Sequence, residues 1–555
     1  MTTVALLGLD LVLGLAAVGL WGYAAFRGRV GWALAGGGVL VARLATVMVL
    51  TGRGWELAAE RVVVGLPLAV PAAGIALALL LRGRPNRVAL WVTAGACVVS
   101  LAVTPLVGYP GRPGTVSRDH HHGGGVFVTQ LRTQADPAIV TKRVELVAQT
   151  QSVRLPSGRV VEAWTFGSLP GPTLAASVGE TLEVTLRNRD LADGVTLHWH
   201  GLQVPNGEDG VAGVTQDAVF PGQSFRYRIR LEQPGTYWYH THQRAREGIA
   251  RGLYGALVVQ PVAGPVSTID LALPFHTIGQ TSILAGSDQL LREVVAPGTA
   301  VRLRLLNTDQ QPRRFVLAGT AFRVVALDGM DLSGPTDLVN QALRIPAGGR
   351  YDLAFTMPAD SVRLAVEGAK RAGLVLAASA DAPDPGGSVP RTTFDPTTYG
   401  EPLPVPEMAG PYDVSATLVL DRLPRLVHGR PTLAQTVNGG AYPDIPPILV
   451  TEGDLVRLRV VNRSFETHPM HPHGHHVLVL RVNGRAPSGS PLWLDTFDVQ
   501  PGEVWEVALR ADNPGIWMSH CHNLEHATSG MMFHLAYAGV STPFTHSPGS
   551  RNRPE

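Results

Sequence analysis

Several residues near position 521 are of types that bind transition metals. Cys521, His526 and Met531 lie on one short stretch of the sequence. A soft thiolate with imidazole and a weak thioether is the donor set of blue-copper electron-transfer sites. A further imidazole must come from elsewhere in the chain. The alternative, a buried cysteine among surface histidines, is disfavoured because five such residues occur together at this spacing.

Two of those five residues, His520 and His522, flank Cys521 directly. In extended backbone, successive side chains point to opposite faces, so both imidazoles point away from the thiolate. They can therefore reach metal ions on the far side of the strand. One short peptide is thus predicted to connect a copper that accepts electrons with a second metal centre that uses them.

The part of the sequence that must position these residues has a β-type pattern. From about residue 140, short runs alternate apolar and polar residues between turn residues, and no long amphipathic helix interrupts them, which predicts β-sandwich structure. Similar segments at 182–188, 301–307 and 455–462 imply three sandwiches. The predicted boundaries are 141–262, 263–385 and 412–541, with a linker at 386–411 and a tail at 542–555.

Histidine pairs separated by one residue occur in the first and third of these units. In a strand, residues two apart share one face, so each pair presents two imidazoles to one point. A single pair could be a zinc site or polar surface, and the middle unit has only His276. Metal sites are therefore predicted in or beside the contact between the first and third units. The histidines concerned are His198 and His200, His240 and His242, and the run from His468 to His476.

Together these segments resemble the four copper-binding segments of the three-domain multicopper oxidases, the group of laccases, ascorbate oxidase and bacterial cuprous oxidases. The similarity covers residues 140–540 and implies an all-β fold of three cupredoxin-like Greek-key sandwiches. The matching motifs are His198-x-His200-Gly201, His240-x-His242, His468-x-x-His471-x-His473 and His520-Cys521-His522-x-x-x-His526-x-x-x-x-Met531.

The resemblance implies four coppers, a blue thiolate band and a near-ultraviolet shoulder. The type 1 copper would be held by His468, Cys521, His526 and axial Met531. The type 2 copper would be held by His198 and His471. The type 3 coppers would be held by His200, His240 and His522, and by His242, His473 and His520.

The resemblance also implies an enzyme that takes one electron from each of four donor molecules at the type 1 copper and reduces dioxygen to water at the trinuclear cluster. Cys521 would pass electrons through the adjacent peptide units. The preferred donors are phenols or similar molecules, because the nine methionines form no methionine-rich tract. The alternatives are an oxidase of Cu(I), Fe(II) or Mn(II) in copper homeostasis, and a membrane-anchored copper carrier or electron-transfer protein.

Reduction of dioxygen consumes protons, so an acid is expected near the cluster. Asp209 falls where the family keeps an aspartate beside the type 2 copper, and we predict a catalytic role for it together with Cys521. The alternative for Asp209 is a turn residue before Gly210. Bacterial relatives often carry a further acid after the second type 1 histidine, but that position is Ala527 here, and the neighbouring Glu525 is not an obvious replacement.

The first 110 residues contain most of the apolar excess of the sequence. Four stretches, 4–26, 30–50, 62–81 and 88–107, are each long enough to cross a bilayer. They predict a four-helix transmembrane region at 1–110, followed by a linker at 111–140. Arginine excess in the first and third connections marks the cytoplasmic side. We therefore predict a multi-pass protein of the cell membrane with its oxidase domains on the extracytoplasmic side.

The overall composition excludes two other classes of protein. The formal net charge of the 555 residues is only +2 and no basic run occurs, which argues against a nucleic-acid partner. The two cysteines, Cys97 and Cys521, lie in different regions, so the chain has no disulfide framework. The predicted partners are dioxygen, a small-molecule or metal-ion electron donor, and the membrane.

Overall fold

The computed structural model describes residues 125–133, 140–264, 267–387, 389–427, 430–546 and 549–555, together with the helical residues Ala16, Leu20 and Tyr23. From residue 125 onward the described chain is built almost entirely from β-strands, with only two short α-helices. The strands form three pairs of sheets in chain order and one additional two-stranded sheet.

The first pair has two four-stranded sheets, with strand orders β3-β2-β5-β7 and β4-β9-β8-β6. The strands are β2 (Lys142–Arg154), β3 (Val160–Phe166), β4 (Gly171–Ser177), β5 (Thr181–Asn188), β6 (His198–His200), β7 (Ser224–Arg230), β8 (Gly235–His240) and β9 (Tyr254–Gln260). The helix α1 (Ala245–Arg251) lies between β8 and β9. Leu182, Val184 and Leu186 of β5 are at most 1% exposed, because the period of two directs alternate side chains into the core.

The second pair has a six-stranded sheet, β11-β10-β13-β18-β15-β16, and a five-stranded sheet, β12-β20-β19-β14-β17. The strands are β10 (Ile269–Ile278), β11 (Thr281–Leu284), β12 (Leu290–Val294), β13 (Ala300–Asn307), β14 (Arg313–Ala318), β15 (Arg323–Leu327), β16 (Met330–Asp331), β17 (Ala342–Ile345), β18 (Arg350–Thr356), β19 (Val362–Val366) and β20 (Gly373–Ala377).

The third pair has the sheets β22-β21-β24-β29-β26-β27 and β23-β31-β30-β25-β28. The strands are β21 (Val414–Val427), β22 (Arg430–Val437), β23 (Ile448–Val450), β24 (Leu455–Asn462), β25 (His468–Pro472), β26 (Val477–Val482), β27 (Trp493–Leu494), β28 (Phe497–Val499), β29 (Val504–Arg510), β30 (Ile516–Cys521) and β31 (Met532–Tyr537). The helix α2 (Leu524–Thr528) lies between β30 and β31. Single 3₁₀ turns occur at Val128–Gln130, Asn206–Glu208, Pro396–Thr398 and Pro406–Met408.

The three segments that repeat in the sequence occupy the same place in each pair of sheets. They are β5, β13 and β24, and each pairs parallel with the first long strand of its unit and antiparallel with a later one. The prediction of all-β sandwich structure is therefore confirmed.

Direct contacts join the first and third units. The buried amide of Asn206 donates to the Ile516 carbonyl at 3.0 Å and accepts from the Ile516 N–H at 3.1 Å. A Cβ at Gly515 would lie 2.4 Å from the Asn206 side chain, so only glycine allows this approach. The short strands β1 (Val126–Phe127) and β32 (Val540–Ser541) also pair, in parallel. These contacts hold the ends of β6 and β8 near the ends of β25 and β30.

The membrane prediction is corrected by the structure. The four predicted spans lie outside the described residues, apart from Ala16, Leu20 and Tyr23. Among the residues that are described, no helix has the length and apolar character needed to cross a bilayer. The helices α1 and α2 have seven and five residues, whereas a span needs about 20. The predicted four-helix region is therefore unsupported, and the predicted multi-pass localisation with extracytoplasmic oxidase domains is wrong.

Candidate metal centre

Cys521, His468 and His526 form a compact, buried cluster in the third unit. The Cys521 Sγ lies 3.7 Å from His468 Nδ1 and 3.6 Å from His526 Nδ1, and the two nitrogens are 3.1 Å apart. The short helix α2 turns the chain back after β30, which brings His526 to the cysteine. Met531 is fully buried, and its backbone closes the loop by accepting from Cys521 N–H and donating to the His526 carbonyl. The thiolate and imidazole donors predicted for a type 1 copper are thus brought together.

The outer nitrogens of the two imidazoles have polar neighbours, which fixes the ring orientations. His468 Nε2 lies 2.7 Å from the Ser464 hydroxyl, and His526 Nε2 lies 3.0 Å from the Asn523 amide. Burial lowers the pKa of His468 well below its usual range and lowers the pKa of His526 to about 4. Both rings are therefore neutral at physiological pH and present Nδ1 toward the thiolate as metal ligands.

Eight further histidines converge on one buried point between the first and third units, and we call them the eight-histidine cluster. Stacked rings cross the contact, with centroids 3.8 Å apart for His198 and His473 and 3.7 Å apart for His200 and His471. Strand register explains the convergence, because β6 pairs with β8 and β25 pairs with β30. The members are His198, His200, His240, His242, His471, His473, His520 and His522.

Ligand atoms within this cluster form several groups compact enough for a metal ion. The set His242, His473 and His520 has all its ligand atoms within 4.8 Å, as the assignment to one type 3 copper requires. His522 joins none of these groups, although its ring centroid lies 4.8 Å from that of His200. The ligand assignments therefore stay a prediction. The other compact groups are His198, His471 and His473; His198, His200 and His240; and His200, His471 and Asp495.

The cluster has the unsatisfied nitrogens that metal ions would require. An unpaired buried polar group costs about 1–3 kcal/mol, so several at one point call for a ligand. Burial and neighbouring imidazoles lower the pKa of His200, His242 and His473 well below the usual range, so these rings are neutral donors. Neutral imidazole and thiolate are ligands that suit copper. The buried nitrogens without a hydrogen-bond partner are His198 Nε2, His200 Nδ1, His240 Nε2, His471 Nε2, and Nδ1 and Nε2 of His522.

Asp209 contacts histidines from both units. Its carboxylate oxygens lie 3.1 Å from His198 Nδ1 and 3.1 Å from His473 Nδ1, and its carbonyl accepts from His198 at 3.0 Å. Gly210 follows with φ +75°, and a Cβ there would lie 1.9 Å from the Leu197 carbonyl oxygen. The residue therefore belongs to a tight turn and contacts the cluster at the same time.

The structure adds a group that the sequence analysis missed. Arg350, at the start of β18 in the middle unit, is fully buried and forms a bidentate ion pair with Asp495. Its Nη1 and Nη2 donate to the two carboxylate oxygens at 2.6 and 2.5 Å. Asp495 in turn lies 3.2 Å from His200 Nε2, and its carbonyl lies 2.7 Å from His471 Nδ1. Although burial raises the pKa of the Asp495 carboxyl, the Arg350 charge holds it well below its usual range.

Two sequence signals could have indicated this ion pair. Gly201 follows the first histidine motif, and a Cβ there would lie 2.2 Å from Arg350 Nη2 and 2.3 Å from an Asp495 oxygen. Arg350 also follows two glycines at the start of β18. His475, two residues after His473, lies 3.0 Å from the His473 carbonyl and 2.7 Å from the Tyr537 hydroxyl.

Comparisons with known proteins agree with this geometry. Two models of the multicopper oxidase family match residues 148–264 and 420–539. Multicopper oxidase MmcO of Mycobacterium tuberculosis is 28% identical over 68% of this chain and 84% of its own length. Laccase-1 of Botryotinia fuckeliana is 26% identical over 66% of this chain and 76% of its own length. The crystal structure of a multi-copper oxidase from Pseudomonas thermotolerans superposes with a TM-score of 0.59, at 28% identity, over 72% of this chain and all of that one.

The predicted copper complement is confirmed at the level of the family, which carries one type 1, one type 2 and two type 3 coppers. A thiolate centre and an eight-histidine cluster lie one residue apart along β30. Both matched segments contribute to the cluster, since four of its histidines lie in each. The chain therefore belongs to the multicopper oxidase family and is a copper-dependent oxidoreductase that uses dioxygen as electron acceptor.

Proposed function

We propose that this oxidase is laccase-like and takes electrons from phenols or similar small organic molecules at the edge of His526 that lines a surface cleft. The observation that carries the proposal is an open cleft of about 500 Å³ at this histidine. One aromatic ring fits a cleft of this size. The polar residues that line it include Arg422, Gln435, Glu466, Asn523, Glu525 and Ser529.

The position of Glu466 favours an electron donor that carries a hydroxyl group. Its carboxylate lies 3.7 Å from His526 Nε2 and accepts hydrogen bonds from Gln435 at 2.5 Å and from Arg422 at 3.2 Å. A phenol loses its proton when it loses an electron, and a carboxylate beside the electron-accepting edge accepts the hydroxyl hydrogen bond. The two partners hold Glu466 in place for this contact.

The ligand assignments and domain boundaries belong to the same proposal. We assign His468, Cys521, His526 and Met531 to the type 1 site, and the eight-histidine cluster to the type 2 and type 3 sites with Asp209 as their catalytic acid. Copper, when bound, supplies the one-electron redox chemistry that side chains lack. Cys521 shares a peptide bond with each of His520 and His522, so one strand end supports both centres. The three sheet pairs support domains at 141–262, 263–385 and 412–541.

An oxidase of Cu(I), Fe(II) or Mn(II) is the alternative that a specific observation favours. Glu466 and Glu525 both line the cleft, and carboxylates suit Fe(II) and Mn(II). Glu525 is 71% exposed and lies 3.9 Å from Arg246, so it is not directed at His526. A copper carrier that does not reduce oxygen is disfavoured, because such a protein needs no eight-histidine cluster.

Glu466→Gln tests the proposal. The substitution removes the charge of the hydrogen-bond acceptor, and we expect kcat/KM for a substituted phenol to fall by about a hundredfold. Oxidation of ferrocyanide, which loses no proton, should stay close to the parent rate. The matched control is Glu525→Gln in the same cleft, which should leave phenol oxidation unchanged. A parent enzyme that oxidises Cu(I) or Fe(II) but no phenol would establish the alternative instead.

Met531→Leu is expected to raise the reduction potential of the type 1 site. The axial ligand tunes this potential, and a thioether stabilises the oxidised metal more than an alkyl group does. The measurement is a redox titration of the blue absorption band. Met532→Leu, at the adjacent buried position, is the control and should leave the potential unchanged. A potential for Met531→Leu equal to or below that of the parent would contradict the assignment of Met531.

A further inference from the structure

Residues 549–555, which we call the strap, lie along the first unit although they follow the third unit in the sequence. Asn552 anchors the strap, because its Oδ1 accepts from Ala218 N–H at 2.9 Å and its Nδ2 donates to Asp217 at 2.8 Å. Burial alternates along it, with Asn552 and Pro554 buried and Arg551 and Arg553 exposed. This alternation is that of an extended segment with one face packed on the protein.

The inner end of the strap is tied to the chain directly after β8. Arg553 N–H donates to Gln243 Oε1 at 2.7 Å, and the Arg553 carbonyl accepts from Arg244 N–H at 2.6 Å. The Pro554 carbonyl lies 3.0 Å from Nδ1 of His242, a member of the eight-histidine cluster. The strap is therefore a direct neighbour of a metal-binding side chain.

Glu555 extends from the strap into the cluster itself. Its side chain is 2% exposed, with Oε1 3.4 Å from His520 Nδ1 and 3.7 Å from His242 Nε2. Both carboxylate oxygens are buried and have no hydrogen-bond partner. Burial of an unpaired carboxylate is costly. His242 and His520 belong to one compact group of possible metal ligands, so a cation held there would compensate the charge of this carboxylate.

The cysteine motif itself supplies no carboxylate to the cluster. The position after His526 is the buried Ala527, and Glu525 faces solvent. We propose that the strap forms one wall of the trinuclear site and that Glu555 is a residue of that site, placed against His242 and His520 where the cysteine motif supplies no acid. This inference rests on the proposed assignment of the eight-histidine cluster to the type 2 and type 3 coppers, and it does not depend on the identity of the electron donor.

The test measures how firmly the copper-loaded, full-length enzyme retains its metal. The variants are Glu555→Gln, which removes only the charge, and a deletion of residues 549–555. Loss of a group that supports metal ligands typically weakens metal binding by about 10–100-fold. We therefore expect a chelator to remove the near-ultraviolet shoulder of the cluster at least about tenfold faster in both variants, while the blue band persists. The control is Arg553→Gln, whose exposed side chain donates to the Ser550 and Asn552 carbonyls of the strap.

The proposal is overturned if Glu555→Gln and the deletion release copper at the parent rate with an unchanged near-ultraviolet shoulder. If the deletion loses both absorption bands together because the chain unfolds, Glu555→Gln decides alone, since it keeps the strap. Selective loss of the shoulder in that variant supports the proposal, and parental retention overturns it. Chelation is followed without any donor, so failure here is distinguishable from failure of the phenol proposal.

Discussion

A Cys521→Ser variant is expected to lose the blue band and to oxidise donors at least about a thousandfold more slowly than the parent chain, the scale on which loss of an essential group lowers turnover. The Sγ is fully buried and lies within 3.7 Å of both imidazole nitrogens, so no solvent group can replace it. Burial raises the pKa of the Cys521 thiol well above its usual range, so the thiolate forms only when a metal ion stabilises it. A serine hydroxyl is a hard donor that does not bind copper in the same way.

The same variant should keep its other three coppers. Cys521 contributes no side-chain atom to the compact groups of the eight-histidine cluster, so the near-ultraviolet shoulder should remain. Metal analysis and absorption spectra of the purified variant measure both effects. Cys97→Ser, at the second cysteine of the sequence, is the matched control and should resemble the parent in every respect. A Cys521→Ser enzyme that still oxidises a phenol at more than about one per cent of the parental rate would contradict the role given to this residue.

The histidine clusters were predictable because their signal is local. A strand places residues two apart on one face, so the spacing of His198 and His200 predicts that both imidazoles point to the same side. The cysteine motif carries three of the four predicted type 1 donors within the end of β30, the following helix and the loop after it. The all-β fold was predictable for the same reason, since alternation along strands such as β5 is visible in any short window of the sequence.

The sequence analysis did not identify the groups that support the clusters, because their contacts are distant in sequence. Arg350 and Asp495 are separated by 145 positions, and neither lies near a histidine motif. Glu555 was assigned to a tail without a role, although it lies against two histidines of the cluster. The hydropathy of the sequence also led to a prediction that the structure does not support. It predicted a multi-pass membrane protein, whereas the described part of the chain contains no helix able to span a bilayer.

These distant contacts change the role given to the middle unit. The sequence placed metal chemistry in the first and third units, because the middle one has only His276. His276 is buried against Thr308 and Tyr254, away from the compact groups, so that expectation agrees with the geometry. The middle unit nevertheless reaches the cluster through Arg350. Its role is to supply a charge that holds a carboxylate of the third unit in position.

Arg350→Met should therefore be severely destabilising, with a loss of about 3–5 kcal/mol in the free energy of unfolding. The guanidinium also lies 3.4 Å from Asp328 and donates to the Thr236 carbonyl at 3.1 Å. Its removal leaves Asp328 and Asp495 as neighbouring buried carboxylates without a compensating charge. Denaturant unfolding of the copper-free protein measures the loss. The loaded variant should lose the near-ultraviolet shoulder before the blue band, because Asp495 orients two histidines of the cluster and none of the type 1 set.

A second ion pair between the middle and third units provides the control. Arg344 also joins the middle unit to the third, through Asp498 at 2.7 Å, but its side chain is 31% exposed. An ion pair open to solvent contributes at most about 1 kcal/mol, so Arg344→Met should change stability little. Adding Asp495→Asn to Arg350→Met should recover part of the lost stability, because it removes one uncompensated charge. If Arg350→Met and Arg344→Met were equally stable, the buried pair would not be what fixes Asp495, and the middle unit would have no part in positioning His200 and His471.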